Sequence, residues 1–256
     1  MSTAIILRKE LLELRRSPVL LLSMISLPLT VVIVPVGLLA WLVHAAPEQA
    51  LAFVTDIYGG GVHQSGLRAG VASVLARNWL PMFLVLPIFL PILLAAQSIG
   101  GERERRTLEP LLATQASTLS IILGKSIAAL VPALAITWIA AALFCAGIDL
   151  VIGSFLLPDP AWLFGTLVLS PLLALFGNAM AVVVSSRVLD PRAAQNLAAT
   201  TVLPLLGLLV VQLAGRIALG PRFSAVLALG VAAADVALVF AAVRLFDRER
   251  LLTQWR

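Results

Sequence analysis

The stretch GERERRTLEPLLAT, which runs from Gly101 to Thr114, separates two long apolar runs and decides how this chain folds. Six of the eight residues from Glu102 to Glu109 are charged. Residues 78–99 before the stretch and residues 126–148 after it carry no charged side chain. Each of these runs is long enough to cross a bilayer as a helix, which needs about 20 apolar residues. The charged stretch is therefore predicted to lie at one face of a membrane.

The composition of the whole chain agrees with a membrane location. Of its 256 residues, 61% are hydrophobic and only 12% are charged, whereas soluble domains are about 45–50% apolar and about 25% charged. The apolar runs lack the alternating pattern of barrel strands. We therefore expect an all-α membrane protein that forms a single transmembrane domain over residues 1–256, with no soluble domain. Six spans are predicted, at residues 19–43, 79–99, 126–148, 162–184, 197–214 and 223–243.

The N-terminal region is predicted to remain in the mature protein. The first apolar run covers residues 19–43, and the acids Glu10 and Glu13 precede it. A cleaved leader has an apolar core of only about 7–15 residues and a basic start. Before this run, Leu7, Leu11 and Leu14 share one face of a helix, and the neighbouring basic side chains can reach lipid phosphates. We expect an amphipathic elbow helix that lies in the membrane interface.

Charge asymmetry predicts the orientation of the spans. If both termini are cytoplasmic, all but four of the 18 basic residues fall on the cytoplasmic side. The positive-inside rule favours this orientation. In this orientation Trp41, Trp79 and Trp162 fall at the outer ends of spans, where indole rings anchor helices at the interface. The basic residues left outside are Arg68, Arg77, Arg216 and Arg222.

The charged stretch has the features of a short helix of its own. Thr107 can cap its N-terminus, and Pro110 then falls in the first turn, where proline is tolerated. Leu108, Leu111 and Leu112 form one apolar edge. Such an edge lies against lipid or in a groove of another protein, unless the segment is a solvated helix held by its own ion pairs. Periodicity leaves these alternatives open.

The same residues resemble the hallmark of ABC-2-type exporter permeases, which are the membrane subunits of ATP-driven exporters. That hallmark reads approximately E-x-x-x-x-T-L-E-x-L-L-x-x-P, followed by Gly-Lys. This chain has Gln115 where the family usually has proline. The order of an elbow helix, six spans and a cytoplasmic coupling helix between spans two and three also matches. The matching residues are Glu102, Thr107, Leu108, Glu109, Leu111, Leu112, Gly124 and Lys125.

The resemblance implies a function and a set of partners. It implies the permease subunit of an exporter, which forms the translocation path in a prokaryotic cell membrane. Two copies of a cytoplasmic ABC ATPase would bind ATP and Mg²⁺, and a second permease copy or a paralogue would complete the complex in membrane lipid. The coupling segment 102–117 would dock the ATPase. The residues expected to do so are Glu102, Arg106, Thr107, Leu108, Glu109, Leu111 and Leu112.

No enzyme site is predicted within the chain itself. Gly124-Lys125-Ser126 imitates the end of a P-loop, but Leu119 stands where the P-loop requires glycine. We therefore expect no cofactor, no metal and no nucleotide in this chain. Nucleic-acid binding is also not expected, because no basic patch with interleaved aromatic residues is present.

Asp235 is the one acidic residue in the predicted spans. A charge at the bilayer centre costs about 2.5–3.5 kcal/mol on insertion scales. Asp235 is therefore expected to pair with Asn178 or Gln212, to line a translocation path or dimer interface, or to carry protons. Two other functions stay open: an ion-gradient-driven secondary transporter that uses Asp235, and a non-transporting membrane assembly scaffold. The sequence leaves the substrate open.

Overall fold

The computed structural model describes residues 3–58, 66–104, 118–185, 188, 190–213 and 221–245. Throughout these ranges the regular structure is helical and contains no strand, which confirms the all-α prediction. Eleven α-helices are numbered here in chain order. They are α1 Thr3–Arg16, α2 Pro18–Ala45, α3 Glu48–Tyr58, α4 Leu67–Phe83, α5 Val85–Glu104, α6 Thr118–Ile152, α7 Pro160–Phe164, α8 Ser170–Ser185, α9 Pro191–Ala199, α10 Leu203–Leu213 and α11 Pro221–Leu245.

Within the described ranges, five stretches of helix are long and apolar enough to cross a membrane. They correspond to five of the six predicted spans, and the second begins twelve residues earlier than predicted because α4 leads directly into α5. The remaining predicted span, 197–214, falls on α9, a 3₁₀ turn at Thr200–Val202 and α10. The five stretches are Pro18–Ala45, Leu67–Ala95, Leu123–Ile152, Pro160–Ser185 and Phe223–Ala241.

Short polar sequences set where several helices begin. Pro18 occupies the first turn of α2, where its missing N–H removes no helical hydrogen bond. The Asp159 carboxylate accepts a hydrogen bond from the backbone N–H of Trp162 and caps α7. The Asp190 carboxylate accepts one from the N–H of Arg192 and caps α9. The polar residues between apolar runs therefore fix the helix boundaries, as N-cap preferences predict.

Helix α8 lies at the centre of the described part of the molecule, where it packs against α5, α6, α9 and α11. Its Gly177 faces the backbone of α5 so closely that an added Cβ would collide with the carbonyl oxygen of Ile88. Small residues at helix interfaces allow this approach, and in a membrane van der Waals contact is a main source of helix association. The contact between α8 and α5 therefore depends on glycine at this position.

The variant Gly177→Ala is expected to lower the free energy of unfolding by about 1–3 kcal/mol, because two backbones must separate to admit the methyl group. Gly230→Ala on α11 is the matched control, since a Cβ there meets no atom within 4 Å. It should be neutral or slightly stabilising. Thermal unfolding in detergent measures both variants, and equal midpoints for the two would contradict the packing described here.

One of the predicted interfacial tryptophans lies in the core instead. Trp162 is only 1% exposed, and its Nε1–H donates to the carbonyl of Ala76 at 3.2 Å. Its ring centroid lies 5.2 Å from that of Phe83 and 4.8 Å from that of Phe144. The prediction that Trp162 anchors at the interface was wrong, because three aromatic rings from different helices bury one another. Trp41 is 61% exposed, as the prediction requires.

Candidate functional site at the base of the 105–117 segment

Most of the predicted docking residues lie outside the described residues, because the description stops at Glu104 and resumes at Thr118. Glu102 lies in the last turn of α5, and its side chain is also outside the description. The docking set therefore stays a prediction. The residues in the gap are Arg106, Thr107, Leu108, Glu109, Leu111 and Leu112.

The structure does describe the base that carries this segment. Helix α5 leads into it and α6 leads out of it, and the two helices pack against each other. Helix α1 packs against α6 and α2. The helix that leads out of residues 105–117 therefore packs against both the helix that leads into them and the N-terminal helix.

A largely buried polar cluster joins α1, α5 and α6, and among the described residues it contains Glu10, Ser98 and Lys125. The Lys125 Nζ donates to Glu10 Oε1 at 2.8 Å and to Ser98 Oγ at 2.8 Å. The Ser98 hydroxyl donates to Glu10 Oε2 at 2.7 Å. A longer contact of 3.4 Å runs from Lys125 Nζ to the carbonyl oxygen of Ser98. We name these three residues the base cluster.

The base cluster satisfies its own hydrogen-bonding groups. Both carboxylate oxygens of Glu10 accept a bond, and the ammonium group of Lys125, which has three donors, has three acceptors within reach. The side chains of Lys125 and Glu10 are only 4% and 9% exposed. A buried ion pair is stable only when its geometry is good and its remaining polar atoms are bonded. The base cluster meets both conditions.

The orientation of α1 explains how Glu10 reaches the base cluster. Ile6 is 1% exposed, Glu10 is buried with it, and Leu14 packs against the core one turn further on. These positions are four residues apart and therefore share one helix face. Leu11, predicted to share a face with Leu7 and Leu14, is 36% exposed. The face of α1 that packs against the protein therefore carries Ile6, Glu10 and Leu14, while Leu11 lies on another, more exposed face.

Two of the three cluster residues were missed by the sequence analysis. Lys125 was noted only as part of the Gly-Lys match, while Glu10 and Ser98 were given no role. The signal for Glu10 was its place between Ile6 and Leu14 at helical spacing, where a solvated acid is unexpected. No local pattern marks Ser98, because its partners are distant in the sequence.

A second pair of buried polar residues lies within the packed helices. Asp235 on α11 and Asn178 on α8 are each 3% exposed, and α8 packs against α11. Asp235 shares the buried face of α11 with Ser224 and Ala228. Both carboxylate oxygens of Asp235, and the Asn178 Oδ1, have no hydrogen-bond partner among the described residues.

The expected hydrogen bond between Asp235 and Asn178 is therefore not formed in the described structure. The side chain of Gln212, the other proposed partner, lies outside the description, although its backbone belongs to α10. Asp235 is buried within one chain, on a helix that packs against α8. Its role in a translocation path or dimer interface stays a prediction.

The substitution Asp235→Asn should leave the free energy of unfolding unchanged or raise it by about 1–2 kcal/mol, because it removes a buried charge without removing an observed partner. Thermal unfolding in detergent measures the effect. A clear decrease in the midpoint would show that the carboxylate has a stabilising partner that the described residues do not include.

The chain matches one protein family over nearly its full length. Residues 4–246 match a family model whose description is ABC-2 family transporter protein. A comparison with curated proteins finds no match. The family match covers all the described helices except the first residue of α1, and it includes the whole base cluster.

Proposed function

Because the chain belongs to the ABC-2 family of transporter proteins, we propose that it is the permease subunit of an ATP-driven exporter. Within such a transporter, a member of this family is the membrane component and not the ATPase. A separate cytoplasmic ATPase, in two copies, binds ATP and Mg²⁺. A second permease copy or a paralogue completes the translocation path.

The proposed arrangement places both termini and the 105–117 segment in the cytoplasm. The positive-inside rule supports this orientation. It requires a sixth crossing between residues 185 and 221, and we assign that crossing to α9, the 3₁₀ turn and α10. Backbone groups in the bilayer must be bonded internally, and a helix that is interrupted only by a 3₁₀ turn retains most of those bonds.

The observation that carries the proposal is the match of residues 4–246 to the transporter family, together with the packed base under the charged segment. In the proposed mechanism, residues 105–117 dock in a groove of the ATPase. Closure of the ATPase upon ATP binding displaces this segment, and α5 and α6 transmit the displacement into the spans. ATP can shift the equilibrium between two conformations of the complex only by the difference between its binding free energies for them. The coupling is reciprocal, so a ligand that favours one conformation of the permease also changes the affinity for ATP.

The proposal is tested by purifying the tagged full-length chain from native membranes in mild detergent. We expect a P-loop ATPase to accompany it, and we expect the complex to hydrolyse ATP in a vanadate-sensitive manner. A chain that purifies without an ATPase would overturn the proposal. It would favour the gradient-driven alternative, for which the supporting observation is the buried carboxylate of Asp235, which has no hydrogen-bond partner among the described residues.

A further inference from the structure

We propose that Glu10 and Lys125 are positioning residues that make helix α1 move together with the 105–117 segment when the ATPase acts. The inference rests on the proposed function and adds helix α1 to the elements that move. The N-terminal helix is then a component of the coupling apparatus, in addition to any role as an anchor in the membrane interface.

The base cluster lies beside the two helix ends that flank the 105–117 segment. Ser98 lies on the last turns of α5 before the segment, and Lys125 lies on the first turns of α6 after it. Both bind the same carboxylate, at 2.7 Å and 2.8 Å. Glu10 therefore bridges the two helices that enter and leave the segment, and it does so from a third helix.

The bonds of the base cluster are strong and directional. A charge-assisted hydrogen bond is shorter and stronger than a neutral one, and burial protects this pair from screening by salt. The bonds also have fixed directions, so the cluster resists rotation as well as separation. Apolar contacts between α1 and α6 alone would permit one helix to slide past the other.

The other charged pair on α1 differs from the base cluster in its exposure. Lys9 and Glu13 form an ion pair at 3.6 Å, but their side chains are 40% and 61% exposed. Exposed pairs of this kind contribute little. Of the acids on α1, Glu10 is the one that joins this helix to the base, and Glu13 provides a matched control on the same helix.

The experiment uses the full complex of permease and ATPase with spin labels, in a Cys145→Ser background that removes the native thiol. One pair of labels, at Leu12→Cys and Phe155→Cys, reports on α1 because both native side chains are exposed. A second pair, at Leu123→Cys in each permease copy, reports on the base. Distances are measured with and without ATP plus vanadate.

In the otherwise native complex, ATP plus vanadate should shift both distances. In Glu10→Gln, the change in the distance between the two Leu123 labels should persist. The change in the distance of the α1 pair should fall to less than half of its value in the native complex. The charge exchange Glu10→Lys with Lys125→Glu should restore it, and Glu13→Gln should behave like the native chain. If Glu10 had a merely structural role, its substitution would not reduce the response of the α1 label pair while leaving the response of the Leu123 pair intact.

The inference would be overturned if ATP plus vanadate changed the α1-pair distance as much in Glu10→Gln as in the native complex. It would also be overturned if, in the native complex, the Leu123 distance changed and the α1-pair distance did not. If neither pair responds in the native complex, the proposed function fails instead. Should Glu10→Gln fail to accumulate, Ser98→Ala removes one of the two bonds to the carboxylate and should give a partial loss.

Discussion

The variant Leu111→Asp is expected to release the ATPase from the permease while the permease remains in the membrane. In the proposed complex, Leu108, Leu111 and Leu112 are buried in a groove of the ATPase. Replacing a buried leucine with a carboxylate removes the apolar contact and adds an unpaired charge, at a cost of about 2–4 kcal/mol or more. That energy corresponds to about 30- to 1000-fold weaker binding.

The measurement is the amount of ATPase that co-purifies with the tagged permease, relative to the permease content of the membrane fraction. Leu150→Asp is the matched control, because it makes the same change on an exposed side chain at the opposite end of α6. Glu109→Lys should act in the same direction as Leu111→Asp by reversing a charge at the interface. If the ATPase co-purifies with Leu111→Asp in the normal amount, the leucine edge does not form part of the docking surface.

The second large effect is expected for Lys125→Met, which should reduce the stability of the permease itself. The substitution removes the closest charged partner of the Glu10 carboxylate and leaves the exposed Lys9, 4.0 Å away, as its cationic neighbour among the described residues. Breaking a buried pair costs about 3–5 kcal/mol. Thermal unfolding of the purified chain in detergent measures the loss. Lys9→Met is the comparison, because Lys9 is 40% exposed and its ion-pair contacts, with Glu13 at 3.6 Å and with Glu10 at 4.0 Å, are longer. It should cost less than about 1 kcal/mol.

The double variant Glu10→Leu with Lys125→Met separates a missing charge from a missing contact. Replacing both partners of a buried pair with apolar residues is often neutral, so much of the lost stability should return. If Lys125→Met is as stable as the native chain, the pair is not desolvated in the way that the structure describes. If the double variant is no more stable than Lys125→Met, the loss arises from packing and not from the unpaired carboxylate.

Long apolar runs were enough to predict long apolar helices, because backbone polar groups inside a bilayer must be hydrogen-bonded within the chain. Among the described residues, five apolar helices long enough to cross a membrane correspond to five of the six predicted spans, and the family resemblance was confirmed over residues 4–246. The region 197–214 was harder, because hydropathy measures the length of an apolar run and does not detect the 3₁₀ turn at Thr200–Val202. A change of helix type inside such a run leaves no trace in composition.

The candidate site was predicted less completely because its residues meet only in three dimensions. Glu10 and Lys125 are 115 positions apart, and Glu10 and Ser98 are 88 apart. Periodicity reports which face of a helix is apolar. It placed Leu7, Leu11 and Leu14 on one face of an interfacial helix and did not indicate that the face packed against the protein carries Glu10. Trp162 was misplaced for the same reason, since the rings of Phe83 and Phe144 that bury it come from other helices.

The most direct test of the account is the side of the membrane on which the 105–117 segment lies. Thr114→Cys, in the Cys145→Ser background, is treated with a membrane-impermeant maleimide in intact cells and in inverted vesicles. Phe155→Cys serves as the opposite marker, because Phe155 lies between α6 and α7 and is fully exposed. The account predicts that position 114 is labelled only in inverted vesicles and position 155 only in intact cells. Labelling of position 114 in intact cells would place the segment out of reach of a cytoplasmic ATPase and contradict the account.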